Sequence, residues 1–209
     1  MPTHLTESKA MDDAIVALRA GELVVFPTET FYGIAADPYS SVAMAKLFGI
    51  KGRDPNKPIA LIAADTHMAF SVAKEISSVA RILADAFWPG PLTIVLPARA
   101  GLPHELIGPD GGVGVRVSPH PIAHALSEGL GRAITATSAN RSGEAPATTL
   151  RAAREALGDE VKVYLEGGTL HASAPSTVIS CNGDGYRIIR AGAITERDII
   201  AALSKGKLE

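Results

Sequence analysis

Runs of apolar residues separated by short polar turns divide this chain into segments of alternating strand and helix length. Residues 7–20 place Met11, Ile15 and Leu18 at helical spacing, with Thr6 able to cap and Gly21 as a natural stop. Leu23, Val24, Val25 and Phe26 form a continuous apolar run, predicted to be a buried strand that ends at Pro27. Ser40 can cap a short helix that reaches Phe48 and buries Val42, Ala45 and Leu47. Residues 59–63 read as a second buried strand, residues 65–74 as a helical stretch, and residues 78–87 as a clearer helix. The stripe of that helix is Val79, Ile82, Leu83, Ala86 and Phe87.

Trp88, Pro89, Gly90 and Pro91 break the chain sharply, after which residues 92–96 and 113–117 read as strands. Between them, residues 97–112 are rich in glycine and proline, a length of loop that tends to form a lid or stay disordered. Residues 122–130 predict a helix, 133–137 a strand, 150–157 a helix stopped by Gly158, and 161–165 a strand. Residues 175–180 and 186–190 predict a hairpin turning at Asn182-Gly183 or at Asp184-Gly185. Thr195 caps a last helix that buries Ile199, Ile200 and Leu203. Such βα units with a late hairpin predict an α/β fold: a twisted mixed, largely parallel sheet flanked by helices.

A chain of 209 residues with 46% hydrophobic and 20% charged content suits one well-buried domain, taken here as 1–209. The net charge of −2 and a sequence pI near 6.3 argue against nucleic-acid binding through a broad basic surface. Any anion site must then be local. Cys181 is the single cysteine, which excludes an intrachain disulfide and a cysteine zinc cluster. The first residues lack the pattern of a signal peptide and no apolar stretch is long enough to span a bilayer, so a cytoplasmic protein without a membrane partner is expected.

The densest chemistry lies in Lys51-Gly-Arg-Asp-Pro-Asn-Lys-Pro58. Lys51, Arg53 and Lys57 fall in a loop that Gly52, Pro55 and Pro58 keep from regular structure. Pinned between a helix and a strand, it suits the phosphates of a nucleotide, or it is a solvated connection. Thr28, Glu29 and Thr30 follow a strand end, where open α/β sheets collect ligands, or they form a turn and nothing more. Arg116 lies inside a predicted strand, so it either meets an anion or faces water from an edge. Trp88 either lines a pocket or packs against a helix end. His120 and His124 have a metal-compatible spacing with no third ligand apparent, and no side chain is predicted to hold a metal.

The P-loop, the dinucleotide fingerprint, the nucleophile elbow and the H-E-x-x-H helix are all missing from the sequence. What remains is a set of polar strand ends and loops carrying Thr30, Lys51, Arg53, Arg116, Ser138, Asn140, Ser176 and Arg190. Cations and hydroxyls with no evident nucleophile suit chemistry done by positioning anionic reactants and stabilising developing charge.

Pro27-Thr-Glu-Thr-Phe-Tyr-Gly33, Lys51-Gly-Arg53, Ser138-Ala-Asn140, Pro175-Ser-Thr-Val178 and Arg190-Ala-Gly-Ala-Ile194 together resemble the YrdC family, also called TsaC, of threonylcarbamoyl-AMP synthases. The resemblance covers about residues 14–199 and is to the short, single-domain form. It implies a YrdC-like sheet around a central cationic cavity. It also implies a reaction in which L-threonine, bicarbonate and ATP, with Mg²⁺, give threonylcarbamoyl-AMP and pyrophosphate. The product would pass to a tRNA threonylcarbamoyl-transferase complex, and weak direct binding of tRNA is compatible with that role.

By the same matching, Lys51, Arg53, Ser138 and Asn140 fall on catalytic positions. Thr30, Arg116 and Ser176 fall on positions that hold threonine. Arg53, Lys57, Asn140 and Arg190 fall on positions near the nucleotide. The chain departs from longer members in having Ile62 where they carry a histidine, and in lacking their additional C-terminal domain. Two other readings stay open: a carbamoyl-adenylate-forming module like that of hydrogenase maturation, and a non-catalytic RNA-binding module.

Overall fold

The computed structural model describes residues 3–52, 58–172, 174–183 and 185–206, with residues 3–7 described by backbone alone. Arg53 and Lys57 therefore lie outside the described residues. The first helix, α1 (Thr3–Arg19), begins before Thr6, so Thr6 sits inside it and is not its cap. The run expected as a strand yields β1 (Val24–Phe26), and a short strand that the sequence reading missed, β2 (Gly33–Ala35), follows the 27–32 turn. Next come α2 (Ser41–Lys51), β3 (Leu61–Ala63), α3 (Thr66–Phe70), α4 (Ser78–Phe87), β4 (Leu92–Pro97), β5 (Gly112–Val117) and α5 (Pro121–Leu130). Then follow β6 (Ile134–Thr135), β7 (Thr137–Ser138), α6 (Leu150–Leu157), β8 (Val163–Tyr164), β9 (Thr177–Asn182), β10 (Gly185–Arg190) and α7 (Glu196–Lys205).

The strands form two mixed sheets, ordered β7-β2-β1-β8 and β10-β9-β4-β5-β3-β6. The α/β class holds, but the sheet is not largely parallel: among the described strands five of eight pairings are antiparallel. A parallel neighbour needs a crossover of a dozen or more residues, usually through a helix. The 27–32 turn is too short for that, and the 98–111 connection contains only a single 3₁₀ turn, His104–Leu106. Both therefore return antiparallel, as does the hairpin that pairs Asn182 with Gly185.

Ala136 is where the chain changes sheets. The stretch read as one strand over 133–137 places Ile134 beside Ile62 of β3 and then Thr137 beside Ile34 of β2. Strands that bend from one sheet into another make the corners of such layered folds. That corner carries Ser138 to the junction of the two sheets.

Alternation along β1 explains its continuous apolar run. Leu23 and Val25 enter the larger core, while Val24 and Phe26 join a second cluster with Leu18 of α1 and Leu126 of α5. Both faces of this strand are covered, so neither tolerates a polar side chain. The predicted caps hold at Ser40 and Thr195, and Ser77 caps α4 in the same way; their hydroxyls accept from the backbone N–H of Ala43, Asp198 and Ala80. Thr195 and Asp198 complete a capping box. Residues 97–112 are neither extended nor loose, because Leu102 and Leu106 are buried. The same segment ends with Gly108 N–H donating to the Gly112 carbonyl at 2.8 Å.

Candidate active site

A cavity of about 1220 Å³ opens where the two sheets meet, lined by residues of β1, β2, β3, β4, β5, β7, β9 and β10. That volume exceeds what one drug-sized ligand requires and admits a nucleotide together with a small second reactant. Thr30, Arg116, Ser138, Ser176 and Arg190 line it. Lys51 and Asn140 do not line it directly but are joined to Ser138 behind the wall.

Arg116 settles its own question. It lies on β5, between β4 and β3, so its strand is interior to the sheet. The side chain is buried, and its Nη1 donates to Oε1 of Glu29, while Ser118 Oγ donates to Oε2 of the same carboxylate. Thr28 and Thr30, flanking Glu29, hydrogen-bond each other through their hydroxyls at 3.1 Å. The 27–33 segment is therefore part of the cavity wall as well as a turn.

A second group converges from β4, β10 and the residue just before β9. Arg190 Nη2 donates to the Ser176 carbonyl at 2.8 Å and to Ser176 Oγ at 3.0 Å. Thr93 Oγ1 lies 3.1 Å from the same hydroxyl. Burial lowers the Arg190 pKa, and the positive charge of Arg116 lowers it further. The two guanidiniums share one cavity, and the bond of Arg116 to Glu29 offsets part of its charge.

The third group centres on Lys51. As the last residue of α2 it is 5% exposed, and Gly52 closes the helix in the left-handed conformation at φ 54°. Its Nζ donates to the Ser138 carbonyl, the Asn140 carbonyl and Asn140 Oδ1 at 2.8, 2.7 and 3.0 Å. Asn140 Nδ2 donates to the Glu144 carbonyl and Ser138 Oγ donates to Asn140 Oδ1, so this loop is fixed from several sides.

Other candidates resolve as structure. Trp88 is absent from the cavity wall, packs on Phe70 with ring centroids 5.7 Å apart, and donates Nε1–H to the Leu92 carbonyl. His120 caps α5 through Nδ1, and His124 faces Glu128 at 3.7 Å, so each has a protein partner. Cys181 is buried, and that burial pushes its thiol up to about 12. Among the described residues no helix is long and apolar enough to cross a membrane.

Ser118 and Thr93 were not singled out from sequence, and Glu29 was read only as part of the polar turn after the first strand, without its partners. Thr93 had a signal: a polar residue on the strand Leu92–Pro97, whose neighbours Leu92 and Ile94 are fully buried. Ser118 had none, and the partners of Glu29 had none, because their meeting depends on residues 89 apart in the chain.

Fold and site together define an α/β protein with a large cavity at a junction of two sheets, its wall carrying Arg116 and Arg190. The chain belongs to the Sua5/YciO/YrdC family, whose model, described as Telomere recombination, matches residues 16–192. It is 37% identical over 193 residues to the threonylcarbamoyl-AMP synthase of Alkalilimnicola ehrlichii, a match covering 91% of this chain and 100% of that one. The threonylcarbamoyl-AMP synthase of Pyrococcus abyssi is 36% identical over 182 residues, covering 87% of this chain and 54% of that one. The solved structure of P. abyssi Sua5 complexed with L-threonine superposes with a TM-score of 0.88 at 34% identity, covering 94% of this chain and 58% of that chain. E. coli YciO superposes with a TM-score of 0.78 at 26% identity, covering 88% of this chain and 90% of that chain.

Proposed function

We propose that this protein is a threonylcarbamoyl-AMP synthase, a nucleotidyltransferase that takes L-threonine, bicarbonate and ATP to threonylcarbamoyl-AMP and pyrophosphate. The observation that carries the reading is the convergence of Arg116, Arg190, Ser176 and Ser138 on one cavity large enough for both reactants. The family match and the L-threonine complex of a relative support it.

In this reading the threonine amine adds to the carbon supplied by bicarbonate, with loss of water, and yields a carbamate. A carbamate oxygen attacks the α-phosphorus of ATP, forming a new P–O bond as the bond to pyrophosphate breaks. Bicarbonate, the threonine carbamate and ATP are all anionic, so the cavity is expected to be cationic when working, with Mg²⁺ entering as part of the ATP substrate. Arg116 receives the threonine carboxylate, where the planar fork of arginine outperforms a lysine. Arg190 stands toward the nucleotide, and Thr30 and Ser176 orient the amino acid.

Ser138 and Asn140 orient the reacting groups. Lys51, with its ammonium bonded to their loop, holds that loop and supplies positive charge behind it. Arg53 and Lys57 are assigned to the phosphates by resemblance alone. The product is expected to serve a tRNA threonylcarbamoyl-transferase complex in the cytoplasm.

Pyrophosphate release by purified protein, MgATP and bicarbonate tests the reading, with and without L-threonine and with serine and carbamoyl phosphate as controls. Release that requires both threonine and bicarbonate is the predicted result. Release driven by carbamoyl phosphate instead moves the protein to carbamoyl-adenylate formation. No release, with steeply salt-dependent tRNA binding, moves it to an RNA-binding module.

A further inference from the structure

Glu29 is the only charged residue of the 27–33 segment, and its carboxylate bridges two residues at the end of β5. Its side chain is 12% exposed and that of Arg116 9%. Thr28, Thr30 and Arg116 line the cavity, whereas Glu29 does not. The carboxylate therefore meets the guanidinium from within the wall and leaves the cavity open. A guanidinium has five N–H donors, and the bond to Glu29 engages Nη1 alone. Ser118 anchors the other carboxylate oxygen and is itself buried, so the carboxylate has little freedom to swing away.

We infer that Glu29 is a positioning residue for the amino-acid substrate: held by Ser118, it fixes Arg116 so that the guanidinium presents its cavity side to the substrate carboxylate. The inference rests on the synthase reading for the identity of that substrate. Two effects oppose each other. A resident carboxylate repels an incoming one, but across the width of a guanidinium that each can address on a different edge. Against this, a long arginine side chain ordered in advance loses little rotamer freedom on binding. Arg190, whose charge repels Arg116 across the same cavity, makes an unanchored Arg116 less able to stay in place.

The test is calorimetric titration of the full chain with L-threonine and with L-threoninamide, which lacks the carboxylate. Wild type is expected to prefer threonine by about tenfold. Glu29→Ala is expected to lose about tenfold in threonine affinity, with threoninamide affinity changed by less than about twofold. Glu29→Gln keeps an acceptor for Arg116 and should restore most of the loss. Ser118→Ala should lose about threefold for threonine alone, and it carries the test if Glu29→Ala does not fold. Threonine binding by Glu29→Ala as tight as, or tighter than, wild type overturns the inference. So do equal losses for both ligands and a wild type without preference for the carboxylate. Failure of the synthase reading has a separate signature: wild type that discriminates the two ligands yet releases no threonine-dependent pyrophosphate.

Discussion

Lys51 donates twice to Asn140, to its carbonyl at 2.7 Å and to its side-chain Oδ1 at 3.0 Å, and so ties the end of α2 to the loop after β7. With the bond to the Ser138 carbonyl, one buried ammonium serves three acceptors, of which Asn140 Oδ1 also accepts from Ser138 Oγ. A buried acceptor left without a partner costs about 1–3 kcal/mol. Lys51→Met is therefore predicted to lower unfolding free energy by about 3 kcal/mol or more, followed by urea denaturation with Trp88 fluorescence. Lys51→Arg should recover less than half of that loss, because a planar fork cannot converge on three acceptors as an ammonium does.

The separate environments of Arg116 and Arg190 predict opposite kinetic signatures. Arg116→Ala should raise the KM for threonine by about tenfold or more, with the KM for ATP changed by less than about threefold. Arg190→Ala should do the reverse. Steady-state kinetics of both variants check this, and parallel shifts in both KM values would mean that the two arginines hold a single reactant.

His120 makes the protein sensitive to acid. Burial pushes its pKa below the ordinary 6.5, against the opposing pull of the Glu29 charge. Its Nδ1 accepts from Ile122 N–H at 3.3 Å, which requires that nitrogen to be unprotonated. A histidine held neutral in the folded state contributes stability above 6.5 that is lost as the pH falls below that value. His120→Asn keeps a capping acceptor and should flatten the pH dependence of unfolding below pH 6.5, at a cost of about 1 kcal/mol or less at neutral pH.

Tyr32 sets a limit at the alkaline end. Its hydroxyl donates to the Gly168 carbonyl at 2.8 Å and accepts from Gly167 N–H at 2.9 Å. Burial leads the causes that push its phenol up to about 12, while its ordinary value is 10.0. The raised value favours the neutral form in the folded state. Its contribution to stability is present below pH 10 and is lost as the pH rises toward 12. Tyr32→Phe should cost about 1–2 kcal/mol at pH 8 and show a shallower loss of stability above pH 10.

Local chemistry was readable from the sequence where it acts over a few residues. The apolar run before Pro27, the caps at Ser40 and Thr195 and the hairpin before Arg190 all depend on near neighbours. The sheet change at Ala136 was not readable, because the residues around it are as apolar as an unbroken strand and its cause is the bend between partners. Nor was β2, whose three residues are shorter than any periodicity can register. Thr30, Arg116, Ser138, Ser176 and Arg190 were picked out as separate polar positions and do share the cavity. Ser118 and Thr93 were missed, and Glu29 was read without its partners, because each bond joins distant parts of the chain.

The most direct test is to follow carbon from labelled bicarbonate into the product. Incubation with ¹³C-bicarbonate, MgATP and L-threonine, read by mass spectrometry and ¹³C NMR, is predicted to give an adenylate that contains threonine and one labelled carbon, and none when threonine is omitted. Adenylate without label, or label incorporated equally in the absence of threonine, would contradict the synthase assignment.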